Sequence, residues 1–212
     1  NQDITIDQYL TVDHTANIIL SEGAAVMASI DRTSVLKVIR KGTLNLNGTG
    51  KFVAASNKPN GGNTSTIYCE KGTLNIYGNL TFDGGSGNTT NNAIFCKGGT
   101  TNIYGGYFYT GLDKGGKSNA CIFVDALNDN VNGNINGYVN IYGGVFECAG
   151  DAKYLLNRSD DVLNMTFITV YGGIFVGFNP ADNSADGEHT NYVADGYKSV
   201  KIDYNGKEAW QV

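Results

Sequence analysis

The stretch Gly99-Thr-Thr-Asn-Ile-Tyr-Gly-Gly-Tyr-Phe108 decides how this chain is read. Alone, it is a short alternating strand that runs into a glycine turn. Its weight comes from near copies elsewhere. These are Gly42-Thr-Leu-Asn-Leu-Asn-Gly48, Gly72-Thr-Leu-Asn-Ile-Tyr-Gly78, Gly137-Tyr-Val-Asn-Ile-Tyr-Gly-Gly144 and Thr166-Phe-Ile-Thr-Val-Tyr-Gly-Gly173. The five copies start 30, 27, 38 and 29 residues apart.

A second motif precedes each copy: Lys37-Val38-Ile39, Ile67-Tyr68-Cys69, Ile94-Phe95-Cys96, Ile122-Phe123-Val124 and Leu155-Leu156-Asn157. A third follows the glycines, as Phe52, Phe82, Phe108, Phe146 and Phe175. The first three triplets end 3 residues before the repeat glycine and the fourth ends 13 before it, so ten residues are inserted within Asp125–Asn136, an Asn-rich, loop-like stretch. The underlying period is then close to 28 residues. Each period holds about three short strands, and helical spacing of apolar residues is hard to find.

A repeat of this length means stacked units that bury a shared core. Three strands with Gly and Asn at the corners point to a parallel β-helix, one coil per period, with equivalent residues about 4.8 Å apart. A propeller blade needs four antiparallel strands in about 40 residues, more than this period supplies.

Strand alternation assigns the faces. Leu44, Leu74, Thr101, Val139 and Ile168 form one inward column, and Leu46, Ile76, Ile103, Ile141 and Val170 a second. Asn45, Asn75, Asn102, Asn140 and Thr169 then face outward, as do Asn47, Tyr77, Tyr104, Tyr142 and Tyr171. A one-residue slip would bury the amides and expose the aliphatics, which fixes the register. The phenylalanines, and Ile67, Cys69, Ile94, Cys96, Ile122 and Val124, are assigned to the interior. Cys69 and Cys96 then stack in adjacent coils as small buried hydrophobes, with a disulfide left open. Residues 1–34 are read as an N-terminal coil or cap, 35–178 as the coils, and 179–212 as a loop and a capping hairpin around Asn205-Gly206. A two-residue turn there pairs Ile202 with Ala209; a three-residue loop pairs it with Trp210.

The chain has 15 Lys and Arg against 20 Asp and Glu, a formal charge of −5, and no basic run that would favour nucleic acid. No apolar run is long enough to span a bilayer as a helix. The four cysteines form no C-x-x-C pair, and there are only two histidines, so neither a metal site nor a cofactor is expected.

The repeat and its ending, Tyr171-Gly-Gly-Ile-Phe175, Asn179-Pro180 and Asn191-Tyr-Val-Ala-Asp-Gly-Tyr197, resemble right-handed parallel β-helix proteins of pectin-lyase-like architecture. More narrowly, residues 35–212 are similar to G-T-L-N-I-Y-G-G-x-F solenoids of gut bacterial surfaces and their phages. The resemblance implies an all-β, single-stranded right-handed parallel β-helix capped by a C-terminal hairpin. It also implies an extracellular, non-enzymatic structural or attachment module of a virion or cell surface, with self-association or another structural protein as partner.

Pectin-lyase-like folds also host polysaccharide lyases and hydrolases. Arg158, Asp160 and Asp161, with Glu147 and Asp151, are the residues that such chemistry would draw on; a solvated loop is the competing reading. Asn128 to Gly133 loosely mimics a calcium loop but reads more simply as a turn cluster, since Val139 stands where a bidentate Glu belongs. The candidate binding surface is the outer column Tyr77, Tyr104, Tyr142 and Tyr171 with Asn75, Asn102 and Asn140. It is open to a protein partner or to a glycan, or serves only to stabilise the sheet.

Overall fold

The computed structural model describes residues 3–29, 34–55, 64–87, 91–112, 119–131 and 133–212. The chain is a β-solenoid whose coils each contribute one strand to three parallel sheets. Sheet 1 stacks Leu10–Val12, Leu36–Val38, Thr64–Glu70, Asn91–Lys97, Ile122–Asp125 and Leu156–Arg158. Sheet 2 stacks Thr15–Leu20, Thr43–Gly48, Thr73–Ile76, Thr100–Ile103, Gly137–Ile141 and Thr166–Val170. Sheet 3 stacks Ile4–Ile6, Ala25–Ala28, Lys51–Val53, Thr81–Asp83, Tyr107–Thr110, Val145–Cys148 and Ile174–Val176.

The register follows the repeat: Leu44, Leu74, Thr101, Val139 and Ile168 pair in succession, as do Leu46, Ile76, Ile103, Ile141 and Val170. All ten are buried. Phe52, Phe82, Phe108, Phe146 and Phe175 form an internal stack with centroids 4.8–5.5 Å apart and planes within 16°. Each such ring contributes about 1.5–3 kcal/mol by burial, and stacking adds roughly 0.5–1.5 kcal/mol per pair. Ile67, Cys69, Ile94, Cys96, Ile122 and Val124 are fully buried as well, and the cysteines are free thiols.

The paired glycines of the repeat answer two different demands. Gly105, Gly143 and Gly172 have no positive φ, but a Cβ there would lie 2.5–2.7 Å from a carbonyl oxygen of the preceding coil. Gly106, Gly144 and Gly173 have φ of 109°, 105° and 121°, a region that favours glycine.

Two of the five triplets shift by one residue. Leu36-Lys37-Val38, not Lys37-Val38-Ile39, pairs with Ile67-Tyr68-Cys69, because the first corner holds an extra residue and turns through Arg40 and Lys41, both at positive φ. Leu156-Asn157-Arg158 pairs with Ile122-Phe123-Val124, while Leu155 is also buried and bonds the Cys121 and Ile122 amides through its carbonyl. Apolar pattern alone does not distinguish two adjacent leucines.

The insertion is a β-hairpin rather than a plain loop: Leu127–Asp129 pairs antiparallel with Gly133–Ile135. The Asp129 carboxylate bonds Lys71 and also the Val131 amide, so it is taken up in holding the hairpin down and shaping its turn. Asn132 of the calcium-loop reading lies outside the described residues.

The C-terminal cap has two parts. Lys207–Gln211 adds antiparallel to Ile174–Val176, and Val200–Tyr204 adds beyond it, so the hairpin extends sheet 3 rather than lying across the coil. Its turn has two residues, Asn205 and Gly206, with φ of 54° and 79°, which pairs Ile202 with Ala209. The lid over the core is the segment before the hairpin. Phe178, Ala185 and Tyr192 join the core cluster, and Tyr192 and Ala194 flank Val170 through backbone bonds of 2.8 and 2.9 Å.

At this end Arg158 takes the register position held by Val124 one coil earlier. Its Nε donates to Asp186 Oδ2 at 2.5 Å, and its Nη1 donates to the carbonyls of Leu163 and Thr166. The Tyr192 hydroxyl donates to the same Asp186 oxygen. The Asp186 side chain is 1% exposed, so this buried pair fixes the lid's position on the last coil. At the opposite end the outermost strands leave Ile4, Leu10 and Ile19 exposed.

Candidate functional site

Sheet 2 carries the predicted surface, and the structure brings all seven of its residues onto one outer face. Down its middle runs an amide ladder. Asn45 Nδ2 donates to Asn17 Oδ1, Asn75 to Asn45 and Asn102 to Asn75, each at 2.8 Å, and Asn140 donates to Asn102 at 3.0 Å. Asn45, Asn75 and Asn102 each thereby spend one donor and one acceptor along the solenoid axis, while Asn17 only accepts and Asn140 only donates. Asn17 was missed by the sequence reading. Its signal is the degenerate copy Thr15-Ala-Asn-Ile18, which pairs in register with Thr43-Leu-Asn-Leu46.

Beside the amides stand the tyrosines. Tyr77, Tyr104, Tyr142 and Tyr171 stack with centroids 4.9 Å apart and planes within 7°. Tyr197, from the cap, closes the row edge-on at 5.5 Å. Burial, and then the neighbouring phenols, raise the Tyr142 hydroxyl above its ordinary pKa. The geometry has a chemical consequence. Rings stacked this closely cover one another's π-faces, so Tyr104 and Tyr142 offer hydroxyls and ring edges outward. A sugar ring laid flat against them would have to displace a neighbour.

The other flank of the amide ladder is Thr43, Thr73, Thr100, Tyr138 and Phe167. Tyr138 and Phe167 stack at 5.1 Å. The two flanking columns lie four residues apart along each strand, roughly 13 Å. The face is thus a floor of amides between a tyrosine wall and a wall that changes from threonine to aromatic along the rod.

Of the residues suggested for sugar cleavage, Glu147 and Asp151 line one hollow of about 680 Å³ with Lys207 and Glu208, whereas Arg158, Asp160 and Asp161 do not line it. Arg158 is committed to Asp186. Asp160 and Asp161 are exposed at the start of a 3₁₀ helix spanning Asp160–Met165. Glu147 lies on the outer face of sheet 3, accepting from the Tyr107 hydroxyl at 2.8 Å and from Lys207. Partial burial opposes its ionisation, but Lys207 and Tyr107 outweigh it and hold the Glu147 carboxyl below its ordinary range. Asp151 turns back to the Lys153 amide. Among the described residues no group of three or more His, Cys, Asp or Glu is placed to hold a metal. His14 and His189 are exposed beside Asp13 and Asp182.

The buried thiols lie in register, Cys69 against Cys96. The Cys96 thiol beside it, together with burial, holds Cys69 well above the ordinary thiol range. Burial likewise pushes Cys121 up. Both are therefore protonated and poor nucleophiles at neutral pH.

Comparison of the chain with protein-family models, with curated proteins and with solved structures gave no match.

Proposed function

We propose that the chain is a non-enzymatic, rigid structural or attachment module of a phage virion or a bacterial cell surface, that docks to copies of itself or to a structural partner through the outer face of sheet 2. The observation that carries this reading is the pair of continuous ladders. Amides run through five successive coils and tyrosines through four, in strict register, with hydroxyls and amide edges outward. Such an array suits a protein contact, where tyrosine combines apolar area with a polar tip at little cost in side-chain freedom. The pectin-lyase-like repeat pattern and its resemblance to gut bacterial and phage solenoids favour the extracellular setting.

Sedimentation of the wild type against a Tyr104→Ser/Tyr142→Ser variant tests the docking. Concentration-dependent assembly that the variant loses supports the reading; equal assembly by the variant overturns it. Polysaccharide turnover abolished by Asp160→Ala or Asp161→Ala would replace it with an enzymatic one.

A further inference from the structure

Sheet 3 ends on an open edge. Its last strand, Val200–Tyr204, pairs on one side only, with Lys207–Gln211. That pairing is regular over five residues, and the strand carries no bulge or proline. An edge of this kind is a template for another strand.

Alternation decides which of its backbone groups are free. The two-residue turn makes Tyr204 and Lys207 a pair that exchanges both backbone bonds, and Ile202 with Ala209 and Val200 with Gln211 follow at every second residue. The neighbouring strand agrees. Its Glu208 carbonyl and Val212 amide face the other way and bond Gly177 and Gly173 at 2.9 and 3.1 Å. The N–H and C=O groups of Lys201 and Asp203 therefore point to the open edge, and among the described residues none of them has a backbone partner.

A strand that adds here antiparallel must bond those two residues. For the same strand of a second copy, the registers that do so set Lys201 against Lys201, Asp203 against Asp203, or Lys201 against Asp203. The first two oppose like charges. The third sets Lys201 of each copy against Asp203 of the other, centres on Ile202, and matches Val200 with Tyr204. Val-Lys-Ile-Asp-Tyr is thus complementary to its own reverse.

The side chains are placed for that register. Lys201 and Asp203 are exposed on one face of the hairpin. Asp203 lies directly opposite Glu208, and Lys201 is shared between Glu208 and the Trp210 ring, 5.7 Å away. Asp203 has no ion pair among the described residues; one of its oxygens accepts the Gly206 amide at 2.9 Å. On the other face Val200 is 48% exposed. The hairpin carries the edge two strand spacings, roughly 10 Å, past Ile174–Val176, so two copies joined there hold their last coils roughly 24 Å apart.

We propose that this edge binds a second copy of the chain. Two solenoids join end to end at their C-terminal caps, with Val200–Tyr204 of each paired antiparallel about a two-fold axis between the Ile202 residues. The contact uses no residue of the sheet 2 face and does not depend on the docking proposed above. One strand pair is a small interface, so the dimer belongs to the weak class.

Sedimentation equilibrium of the Tyr104→Ser/Tyr142→Ser chain, which lacks the docking surface of sheet 2, reads the end contact alone, up to roughly 1 mM. It shows a monomer–dimer equilibrium. In that background Lys201→Asp sets like charges opposite each other and lowers dimer affinity at least about tenfold, and Asp203→Lys does the same. An equimolar mixture of these two variants restores both charge pairs, so it dimerises where neither does alone, which also shows that both fold. Lys201→Pro removes an N–H that the hairpin does not use, and abolishes the dimer with the hairpin intact. A monomer throughout the range, a dimer indifferent to charge reversal or to Lys201→Pro, or a mixture no more associated than its components would each overturn the proposal.

Discussion

Replacing Gly105 by alanine tests the packing that the repeat encodes. Gly105 has no positive φ, so alanine meets no conformational penalty at that residue. The obstacle is the coil below: the new Cβ lies 2.5 Å from the Gly78 carbonyl oxygen, 0.5 Å inside the 3.0 Å that such contacts respect. The oxygen belongs to backbone and cannot swing away. The two coils must part locally, which stretches the ladder bonds Tyr104 N–Ile76 O (2.9 Å) and Tyr107 N–Leu80 O (2.8 Å) on either side. It also loosens the Tyr77–Tyr104 and Phe82–Phe108 stacks. Two bonds at about 1 kcal/mol each and two stacks at about 0.5–1.5 kcal/mol give a loss of roughly 3–5 kcal/mol. Alanine returns about 0.4–1 kcal/mol by restricting the unfolded chain, leaving a net loss of about 2–4 kcal/mol. Urea unfolding followed by circular dichroism reads the total, and amide exchange at Tyr104 and Tyr107 reads its location. A change within about 0.5 kcal/mol, the size of an inert surface substitution, with unchanged exchange at those amides, refutes the close-approach argument.

Other perturbations have equally direct readings. Asp186→Ala strands the Arg158 guanidinium beneath the lid and costs about 2–4 kcal/mol, less than a fully buried pair because Arg158 keeps some solvent contact; loss of protection at the Val170 and Ala194 amides locates the effect. Thr101→Val goes the other way. Thr101 Oγ1 is buried without a hydrogen-bond partner among the apolar columns, so the isosteric change stabilises by about 1–2 kcal/mol, and a loss of stability would show that the hydroxyl is satisfied. The Glu147 carboxyl, held low by Lys207 and Tyr107, contributes to cap stability in full above its unfolded pKa and loses that contribution as pH falls through the lower folded value. A carbon NMR titration should place its midpoint below the ordinary carboxylate range and move it upward in Lys207→Ala; a wild-type midpoint at the ordinary value contradicts this.

Much of the candidate face was legible before any coordinates, because a period-two strand stacked at a fixed interval leaves little freedom. Once Asn102 and Tyr104 were placed outward, Asn75, Asn140, Tyr77, Tyr142 and Tyr171 had to follow. Asn17 escaped because its coil keeps the Thr-x-Asn-x core but lacks the aromatic and the glycines that mark the others. The open edge escaped for another reason. Val200-Lys-Ile-Asp-Tyr204 reads as a hairpin strand, but either strand of a hairpin can be the one that pairs with the solenoid. Only the docking of Lys207–Gln211 on Ile174–Val176 decides which strand stays free.

The amino-acid sequence by itself determined the coil. Spacing set the period, alternation set the faces, and the glycine pair set the turn, all through interactions within one repeat or between neighbouring repeats. Tertiary structure decided what lies outside that local grammar. It placed Arg158 under the lid, turned the insertion into a hairpin tied to Lys71, and pressed the tyrosines together until their faces were spent on one another. Each of these depends on how far apart in space two segments lie once the rod has formed, a distance that no single repeat contains.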